Sequence, residues 1–571
     1  MARAELSVAE LVSMIERGQL HLPEMQRRYV WRSTRVRDLL DSLYRGYPSG
    51  VILTWQTTEE VNRNEFAVAT GGDSFGRPML LLDGQQRLTS LSAVIRGVPV
   101  TVRGRKRPID ILFNLDHPEG VTVVTEVQED DDSDEDATEE ETDLIDEADA
   151  LQRRMQQRTF VVSSKNLAAL PNWVSVSSVF ASDDDTEILL RAGIEDLRDP
   201  RRILYTQRLN RLRAIRDYMY RVDVLEESMS YEEVTEIFVR VNSLGAKLRS
   251  SDLALAQITA KWRGSLREFQ EFQRQCDDLG FRFDLGPYLK TLIALATGQS
   301  RFLTVGSLTE ETLQESWKRT KKALTFAINF LRTNTGIDSP ALLSSPFVLI
   351  TLAYWGDRRN FVVSPEESAS MRRWTLLANA KGRYSRGSSE TLLDQDLATL
   401  RDGGNPSQLL DRLVNQVGRL TVLPEDLAGR TSRSALFKTM FLAFRDAGAH
   451  DWQSNLRISV NHSGSADKLQ FHHIFPRAYL KKHAPEIKQG QIDDIANLAF
   501  IGGSTNRTIS AKDPSIYIPA LIADGRADDL RSQDVPTDEA LLQTANFEAF
   551  LAERRLLIAD RLNRFLATED R

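Results

Sequence analysis

Apolar and polar residues at the beginning of the chain have the spacing of short helices and strands. Apolar side chains recur every three or four positions over residues 5–19, which predicts an amphipathic helix, and the same spacing over 36–43 predicts a second one. Continuous apolar runs at 51–55 and 79–82 predict buried strands, and helical spacing resumes at Leu88. Strands that alternate with helices in this way are typical of an α/β domain.

Farther along the chain, helical spacing dominates. A helix, a strand and two further helices are expected at residues 205–220, 222–225, 232–241 and 251–262. From Leu266 to about Ser432 the pattern is almost wholly helical. The last predicted element is a long amphipathic helix from Asp538 to Leu566. This helix carries four arginines, Arg554, Arg555, Arg561 and Arg564. They are interpreted as a solvated basic face, and a contact with DNA is the alternative interpretation.

These patterns predict three domains in an α+β multidomain protein. An α/β domain is expected over residues 1–262, a helical linking domain over 263–431 and a further domain over 432–571. The length of 571 residues agrees with a prior of about three to four domains. The composition, with 41% apolar and 27% charged residues, is typical of a soluble globular protein.

Cysteine usage and the absence of long apolar runs in the sequence indicate the cellular compartment in which the protein is expected. The single cysteine, Cys276, excludes an internal disulfide framework and suits a reducing cytoplasm. The N-terminal residues lack the apolar core of a signal peptide, and no apolar run is long enough to span a membrane. A cytoplasmic location without membrane contact is therefore expected.

The net charge of −8 is concentrated in one acidic segment of the chain. Residues 129–149 contain 14 acidic and no basic side chains, so the remainder of the chain has a formal charge of −8 + 14 = +6. Such a run cannot pack and is interpreted as a solvated insertion. The other reading is a DNA mimic that shields a basic groove until substrate arrives.

The segment Asp83-Gly84-Gln85-Gln86-Arg87 stands between a predicted strand and a predicted helix. This arrangement suits an anion site, because a helix N-terminus offers free N–H donors and glycine lets a ligand approach the backbone. Arg87 offers a planar fork for phosphate, and Asp83 a ligand for a metal or a ribose hydroxyl. An ion pair between Asp83 and Arg87 is an equally good reading. No Walker A loop is present, since Gly71–Pro78 lacks the required lysine.

Two adjacent histidines near the C-terminus precede a short apolar turn closed by proline, at Phe471–Pro476. Asn497 opens an apolar run, Asn506 follows a Gly-Gly turn, and Lys512 comes six positions later. In this order the residues resemble the ββα-metal (HNH) nuclease motif. Five of the seven histidines fall in the last quarter of the chain, which favours a site over scattered core positions. A strand end with internally bonded histidines is the other reading.

The HNH resemblance implies a role for each residue. His473 is the expected general base, because the family's base directly precedes the apolar-x-Pro turn. His472 occupies the position of a metal ligand that is normally Asp or Glu, and Asn506 that of the distal ligand. Asn497 is expected to brace the loop that carries the base. A divalent metal is implied, Mg²⁺ or Mn²⁺, while imidazole at position 472 also suits Ni²⁺ or Zn²⁺ and suits Mg²⁺ less.

Three further segments resemble the GmrSD-type DGQQR domain, which is related to the ParB/sulfiredoxin fold. They are Pro23–Trp31 (PxxQRxYxW), LLDGQQRLTSL around Asp83, and Phe238–Gly245. The resemblance covers roughly residues 5–262 and 430–530. Family members that carry a C-terminal HNH domain include type IV modification-dependent restriction enzymes and the SspE- and BrxU-like nucleases. The implied architecture is a ParB/sulfiredoxin-like α/β domain, a helical middle region and a ββα-metal nuclease domain.

This second resemblance implies a nucleotide site. The residues that would handle the nucleotide, GTP in preference to ATP, are Asp83, Gly84, Gln85, Gln86 and Arg87. Three residues would line the same cleft: Gln26, Arg27 and Tyr29. Asn242 and Gly245 would close or brace the site, and either Gln85 or Gln86 would orient an attacking water.

The function that both resemblances imply is that of a phage-defence endonuclease. It would sense phosphorothioate or base-modified DNA, of phage or host, and nucleotide hydrolysis would regulate metal-dependent nicking. A homo-oligomer is compatible with the sequence. Two other readings stay open: a DNA-binding regulatory or toxin-like protein with an inactive HNH fold, and an NTPase whose C-terminal domain binds RNA.

Overall fold

The computed structural model describes most of the chain. The described residues are 2–23, 31, 33–57, 63–64, 79–97, 109–119, 157–196, 198–244, 249–385, 387–462 and 467–567. They form two compact units, Met1–Leu266 and Arg267–Arg571. The first boundary lies close to the predicted one at 262/263. The predicted boundary at 431/432 falls inside the second unit, so the helical region and the C-terminal region share that unit.

The first unit contains strands in two sheets together with the helices that cover them. The strands are β1 (Ala2–Ser7), β2 (Leu20–Pro23), β3 (Ile52–Gln56), β4 (Arg63–Asn64), β5 (Met79–Asp83), β6 (Ile111–Asn114), β7 (Phe160–Val162), β8 (Trp173–Ser175) and β9 (Met219–Leu225). The helices are α1 (Val8–Glu16), α2 (Ser33–Tyr44), α3 (Gln85–Arg96), α4 (Lys165–Ala168), α5 (Val176–Ala181), α6 (Thr186–Arg191), α7 (Pro200–Arg213), α8 (Tyr231–Leu244) and α9 (Ser250–Lys261).

The main sheet is mixed and has six strands in the order β1-β9-β3-β5-β2-β4, and a smaller sheet has the order β7-β6-β8. Alternate residues of a strand point to opposite faces, so each face of the main sheet has its own core. Ile52 and Leu81 pack with α1, α2 and α3 on one face. Leu53, Leu80 and residues of α8 and α9 pack on the other face. The result is a helix–sheet–helix arrangement around β3 and β5.

The N-terminal helix begins later than the apolar spacing predicts. Residues 2–7 form β1, which pairs antiparallel with β9, and α1 begins at Val8. Ser7 ends the strand and caps the helix: the Glu10 backbone N–H donates to Ser7 Oγ, and Glu10 in turn accepts from the Ser7 backbone N–H. This capping box fixes the boundary, and the apolar pattern alone does not contain that information.

The second unit is mostly helical. Its helices are α10 (Ser265–Asp278), α11 (Leu285–Thr297), α12 (Glu310–Phe330), α13 (Phe347–Arg358), α14 (Pro365–Ala380), α15 (Ser389–Arg401), α16 (Pro406–Val417), α17 (Pro424–Leu427), α18 (Ala435–Asp446), α19 (Arg477–His483), α20 (Gln489–Ile492), α21 (Gly503–Ile509), α22 (Pro514–Ala523), α23 (Ala527–Ser532) and α24 (Phe547–Ala567). Its strands are β10 (Leu469–His473) and β11 (Leu498–Gly502), which pair with each other. None of the described helices is long and apolar enough to cross a membrane.

The C-terminal helix is shorter than the sequence pattern predicts. It begins at Phe547 rather than near Asp538. The intervening residues form turns in which Asp538 accepts from the backbone N–H groups of Ala540 and Leu541. An aspartate that bonds its own neighbouring backbone competes with the helix, which explains the later start.

Candidate active site

The histidine pair lies at the end of an antiparallel strand pair that leads directly into a helix. In the register of β10 and β11, His472 is opposite Ala499 and His473 is opposite Leu498. Helix α21 starts at Gly503, immediately after β11, and carries Asn506 in its second turn. Side chains of neighbouring strand residues point to opposite faces, so His472 and His473 enter different surroundings.

His472 points inward and contacts the helix. Its Nδ1 lies 2.7 Å from Asn506 Oδ1, and Asn506 Nδ2 donates to Gln470 Oε1 at 2.5 Å. The His472 side chain is almost completely buried, and this burial lowers the pKa of His472 to about 4. The imidazole is therefore neutral near pH 7, the form in which histidine binds metals.

His473 points to the other face and is partly exposed. Its side chain keeps 25% of its accessible surface, and its Nε2 lies 3.1 Å from Asp493 Oδ1. Asp493 also accepts from Gln489 Nε2 at 2.7 Å through its second oxygen. The hydrogen bond from His473 lowers the pKa of Asp493, so this carboxylate is ionised at neutral pH. Asp493 lies in the segment that links the two halves of the motif, and no sequence pattern marks it.

Asn497 is fully buried and braces the turn that follows His473. Its side-chain Oδ1 accepts from the Phe475 N–H at 2.9 Å, and its Nδ2 donates to the Phe475 and Ile492 carbonyls at 3.1 and 2.9 Å. The Asn497 backbone carbonyl accepts from the Ile474 N–H at 2.8 Å. The side chain thus joins the turn after the histidine pair to the end of α20.

The pair His472 and Asn506 can be tested against the metal that the HNH resemblance implies. Tyr517 commits its hydroxyl hydrogen to the Ile474 carbonyl at 2.8 Å, and its oxygen lies 3.5 Å from His472 Nε2. With the hydrogen on Nε2, His472 Nδ1 and Asn506 Oδ1 would be two adjacent ligand atoms. This donor set fits a divalent cation with some nitrogen preference, such as Mn²⁺ or Zn²⁺. Within the described ranges, no group of three or more His, Cys, Asp or Glu residues could hold a metal.

The predicted nucleotide segment lies at the junction of β5 and α3. Helix α3 begins at Gln85, so Gln85, Gln86 and Arg87 form its first turn and not a loop. Arg87 donates to the carbonyls of Ser49 and Val51 at 2.5 and 2.8 Å and to Asp83 Oδ2 at 2.8 Å. The guanidinium therefore holds the backbone of the turn before β3, and the ion pair that was one reading of the sequence is present.

Two glycines shape this junction. Gly84 has a φ of +101°, and a Cβ there would lie 2.4 Å from Ile52 Cδ1. Gly50 has a φ of +94°, and a Cβ there would lie 2.3 Å from Arg87 Nη1. Both positions therefore require glycine for the local backbone conformation and for packing within the chain. The N-cap residue Gly84 provides no side-chain cap, and the N-terminus of α3 carries the positive end of the helix dipole.

Comparison with known proteins identifies this unit. Residues 8–259 match the family model of the GmrSD restriction endonuclease N-terminal domain. The first unit is a GmrSD N-terminal domain. An uncharacterized protein of Methanocaldococcus jannaschii is 22% identical over 550 residues, which cover 90% of this chain and 87% of that protein. The GmrSD domain implies a restriction-type nuclease with DNA as its substrate.

Several residues predicted for the nucleotide site of the GmrSD domain lie outside the described residues. These are Gln26, Arg27, Tyr29, Gly245 and the side chain of Asn242. The acidic run at 129–149 also lies outside them. Of the neighbouring residues that are described, Gln86 contacts the first motif, because its Oε1 accepts from the Trp31 N–H at 3.2 Å.

Arg554, one of the arginines interpreted as a solvated basic face, has a structural role instead. Arg554 is fully buried, and its guanidinium donates to the carbonyls of Ala496 and Leu498, both at 2.8 Å, and to those of Gln533 and Asp534. The first two carbonyls flank Asn497, so Arg554 of α24 fixes the backbone on both sides of Asn497. The burial lowers the pKa of Arg554 to about 10, which still leaves it charged at neutral pH. Periodicity cannot reveal an arginine that points inward.

Asp451 is a second supporting residue that the sequence reading missed. It is buried, and its carboxylate accepts from the Gly502 N–H and the Thr505 hydroxyl, each at 2.7 Å. These contacts hold the junction between β11 and α21 and thereby place Asn506. In the middle region, Arg383 is buried in a two-point ion pair with Asp396 at 2.8 and 3.0 Å.

Proposed function

We propose that this chain is a metal-dependent DNA endonuclease whose nicking centre is formed by β10, β11 and α21. The observation that carries the proposal is the partly exposed His473, bonded to the Asp493 carboxylate, beside the buried His472–Asn506 pair. Phosphodiester hydrolysis needs a base for the attacking water and a positive charge near the leaving oxygen. The GmrSD domain supports DNA as the substrate.

Each residue of the centre has one task in this proposal. His473 accepts the proton of the water that attacks the phosphorus atom, and Asn497 keeps the turn after His473 in place. His472 and Asn506 would hold the divalent ion, which when bound supplies positive charge to the phosphate. Because His472 stands where an acid is usual, we propose Mn²⁺ or another nitrogen-tolerant ion ahead of Mg²⁺.

In the same proposal the GmrSD domain controls the nuclease. It binds a nucleotide, GTP in preference to ATP, at the N-terminal end of α3, beside Asp83, Gln85 and Gln86. Nucleotide hydrolysis and recognition of modified DNA, either phosphorothioate or a modified base, would then permit nicking. A nuclease under such control protects a host against phage without cutting the host's own DNA.

The central experiment is plasmid nicking by the full chain, with Mn²⁺, Mg²⁺, Ni²⁺ and Zn²⁺ tested separately. We expect Mn²⁺ to support nicking and EDTA to abolish it. His473→Ala should reduce the rate by about 10³-fold or more, because removal of a general base costs about 10²–10⁴-fold. Thermal stability should change little, because His473 is partly exposed. A His473→Ala variant that nicks at the wild-type rate would exclude this centre.

A second experiment tests the control by the GmrSD domain. Plasmids that are unmodified, phosphorothioate-modified or base-modified are nicked in the presence of GTP, ATP or no nucleotide. We expect one modified plasmid to be nicked faster than the unmodified plasmid, and we expect the nicking rate to depend on nucleotide. The His473→Ala variant should hydrolyse the nucleotide at the wild-type rate. Equal nicking under all conditions would leave an endonuclease but remove the sensing and nucleotide parts of the proposal.

A DNA-binding protein without cleavage is the second candidate. The observation in its favour is the chemistry of the ligand pair: among the described residues, no carboxylate hydrogen-bonds to His472 or Asn506. This candidate predicts that DNA binds with the same affinity with and without Mn²⁺ and is never nicked. Substituting His472→Asp separates the candidates, since a carboxylate at this position should extend activity to Mg²⁺ only if the centre is catalytic.

A further inference from the structure

The contact between Asp493 and His473 determines which nitrogen of the imidazole is available for chemistry. Asp493 Oδ1 lies 3.1 Å from His473 Nε2, and an ionised carboxylate can only accept hydrogen bonds. The hydrogen of a neutral His473 must therefore be on Nε2. The lone pair then lies on Nδ1, on the opposite side of the ring.

The carboxylate is itself held firmly in this position. Gln489 Nε2 donates to Asp493 Oδ2 at 2.7 Å, and the Asp493 backbone N–H donates to the Gln489 carbonyl at 2.9 Å. The next residue, Asp494, is fully buried and accepts from the Gly429 N–H and from Arg555, at 2.8 and 2.6 Å. The backbone at 493–494 is thus anchored on both sides of the carboxylate. A side chain fixed at its base and at one oxygen orients its partner with little loss of entropy.

We propose that Asp493 is the positioning residue of His473, which fixes the imidazole so that Nδ1 is the atom that takes the proton from water. The inference rests on the proposed nuclease function and adds to it the reactive atom and a residue outside the motif. Asp493 does not touch the substrate; it acts through the orientation and tautomer of His473. In the serine-protease triad an aspartate has this same relation to its histidine.

The test compares Asp493→Asn with the wild-type full chain in the Mn²⁺-dependent nicking assay. An asparagine amide can present Nδ2–H to His473 and so favour the wrong tautomer, and we expect kcat to fall by about 10²-fold or more. The KM for plasmid and the thermal stability should stay close to wild type. Asp493→Glu should recover part of the lost kcat, because the carboxylate is retained. Asp528→Asn is the matched control, since its carboxylate is on the surface and, among the described residues, pairs with Arg531.

Two further measurements distinguish the loss of the positioning role from a loss of folding. Gln489→Ala removes one bond to Asp493 and should lower kcat less than Asp493→Asn does. Selective ¹⁵N labelling of histidine should show His473 with its hydrogen on Nε2 in the wild type and a shift towards Nδ1–H in Asp493→Asn.

The outcomes separate this inference from the proposed function. If His473→Ala is inactive while Asp493→Asn keeps its kcat within about threefold, the nuclease stands and the positioning role is overturned. The role is also overturned if the loss in Asp493→Asn follows a loss of stability or of DNA affinity. A wild-type protein that nicks no plasmid with any metal overturns the nuclease, and the positioning role with it.

Discussion

The two candidate sites of this protein use their charged and polar side chains in opposite ways. At the start of α3, the guanidinium of Arg87 donates hydrogen bonds to the carbonyls of Ser49 and Val51 and to the Asp83 carboxylate. At the histidine pair, the supporting contacts are made by other residues. Asn497 holds the turn, Arg554 holds the backbone on both sides of Asn497, and His473 stays partly exposed.

This difference shows that a reactive residue type does not by itself indicate a reactive site. A side chain whose donors are all used within the chain must break those bonds before it binds a ligand, and each bond has a net value of about 0.5–1.5 kcal/mol, more for charged groups. In the second unit, structural support and chemistry are assigned to different residues. The comparison therefore predicts a loss of stability from substitution of Arg87 and a loss of activity from substitution of His473.

The largest effect on stability is expected at Arg554. Arg554→Met should lower the free energy of unfolding of the second unit by about 3 kcal/mol or more, because it removes the donors of four buried carbonyls. The nicking rate should fall as well, since two of those carbonyls flank Asn497. Denaturant unfolding monitored together with nicking measures both effects.

Arg564 provides the control on the same helix. Its side chain is 69% exposed and pairs with Asp560 one turn earlier, so Arg564→Met should change stability by no more than about 0.5 kcal/mol. Equal stabilities for the two variants would show that the buried guanidinium of Arg554 does not support the β10–β11 strand pair. Structural support and proposed chemistry would then not be divided between different residues of the second unit.

The next largest effect is expected at Arg87. Arg87→Ala should destabilise the first unit by about 2 kcal/mol, because two carbonyls and the Asp83 carboxylate lose their donor. Arg87→Lys should restore little of this, since an ammonium cannot reproduce the planar fork that reaches three acceptors. Limited proteolysis and thermal unfolding of the full chain report the change.

Substitution of Arg87 also tests most directly whether its guanidinium supports the fold or binds the nucleotide. If the guanidinium instead binds the nucleotide, Arg87→Ala would weaken nucleotide binding while the melting temperature stays at the wild-type value.

The sequence predicted different parts of the molecule unequally well. Residues 469–473 and 498–502 form the paired strands around the histidines. The buried strands β3 and β5 follow from their apolar runs, which are local patterns that one sequence contains. The contact between His472 and Asn506, 34 positions apart, was implied by the HNH resemblance and not by local pattern.

Features that depend on tertiary contacts could not be read in this way. The positions of Asp493, Asp451 and Arg554 in the site depend on partners about 20 to 60 positions away in the chain. The expectation of a basic helix surface failed at Arg554 for the same reason. The inward-facing arginine has the helical spacing of a solvated one, and only the acceptors around it distinguish the two.

A smaller effect is expected at Gly84. Gly84→Ala should cost about 1–2 kcal/mol, because its φ of +101° is unfavourable for any residue with a Cβ. Part of the cost is the contact with Ile52 Cδ1 at 2.4 Å. The double variant Ile52→Val, Gly84→Ala removes that methyl group and should be less destabilised than the sum of the two single variants. Additive losses would show that the backbone conformation alone requires the glycine.

The smallest expected effect is a change in the stability of the first unit with pH. Burial lowers the pKa of His117, whose Nε2 accepts from the Tyr44 hydroxyl at 3.0 Å and whose Nδ1–H donates to the Pro118 carbonyl at 3.0 Å. As the pH falls below about 6.5, the ordinary pKa of histidine, the unfolded chain takes up a proton that the folded unit does not. Stability should therefore decrease with falling pH until the folded-state pKa is reached. His117→Gln should flatten this dependence, and an unchanged slope in that variant would assign it to another group.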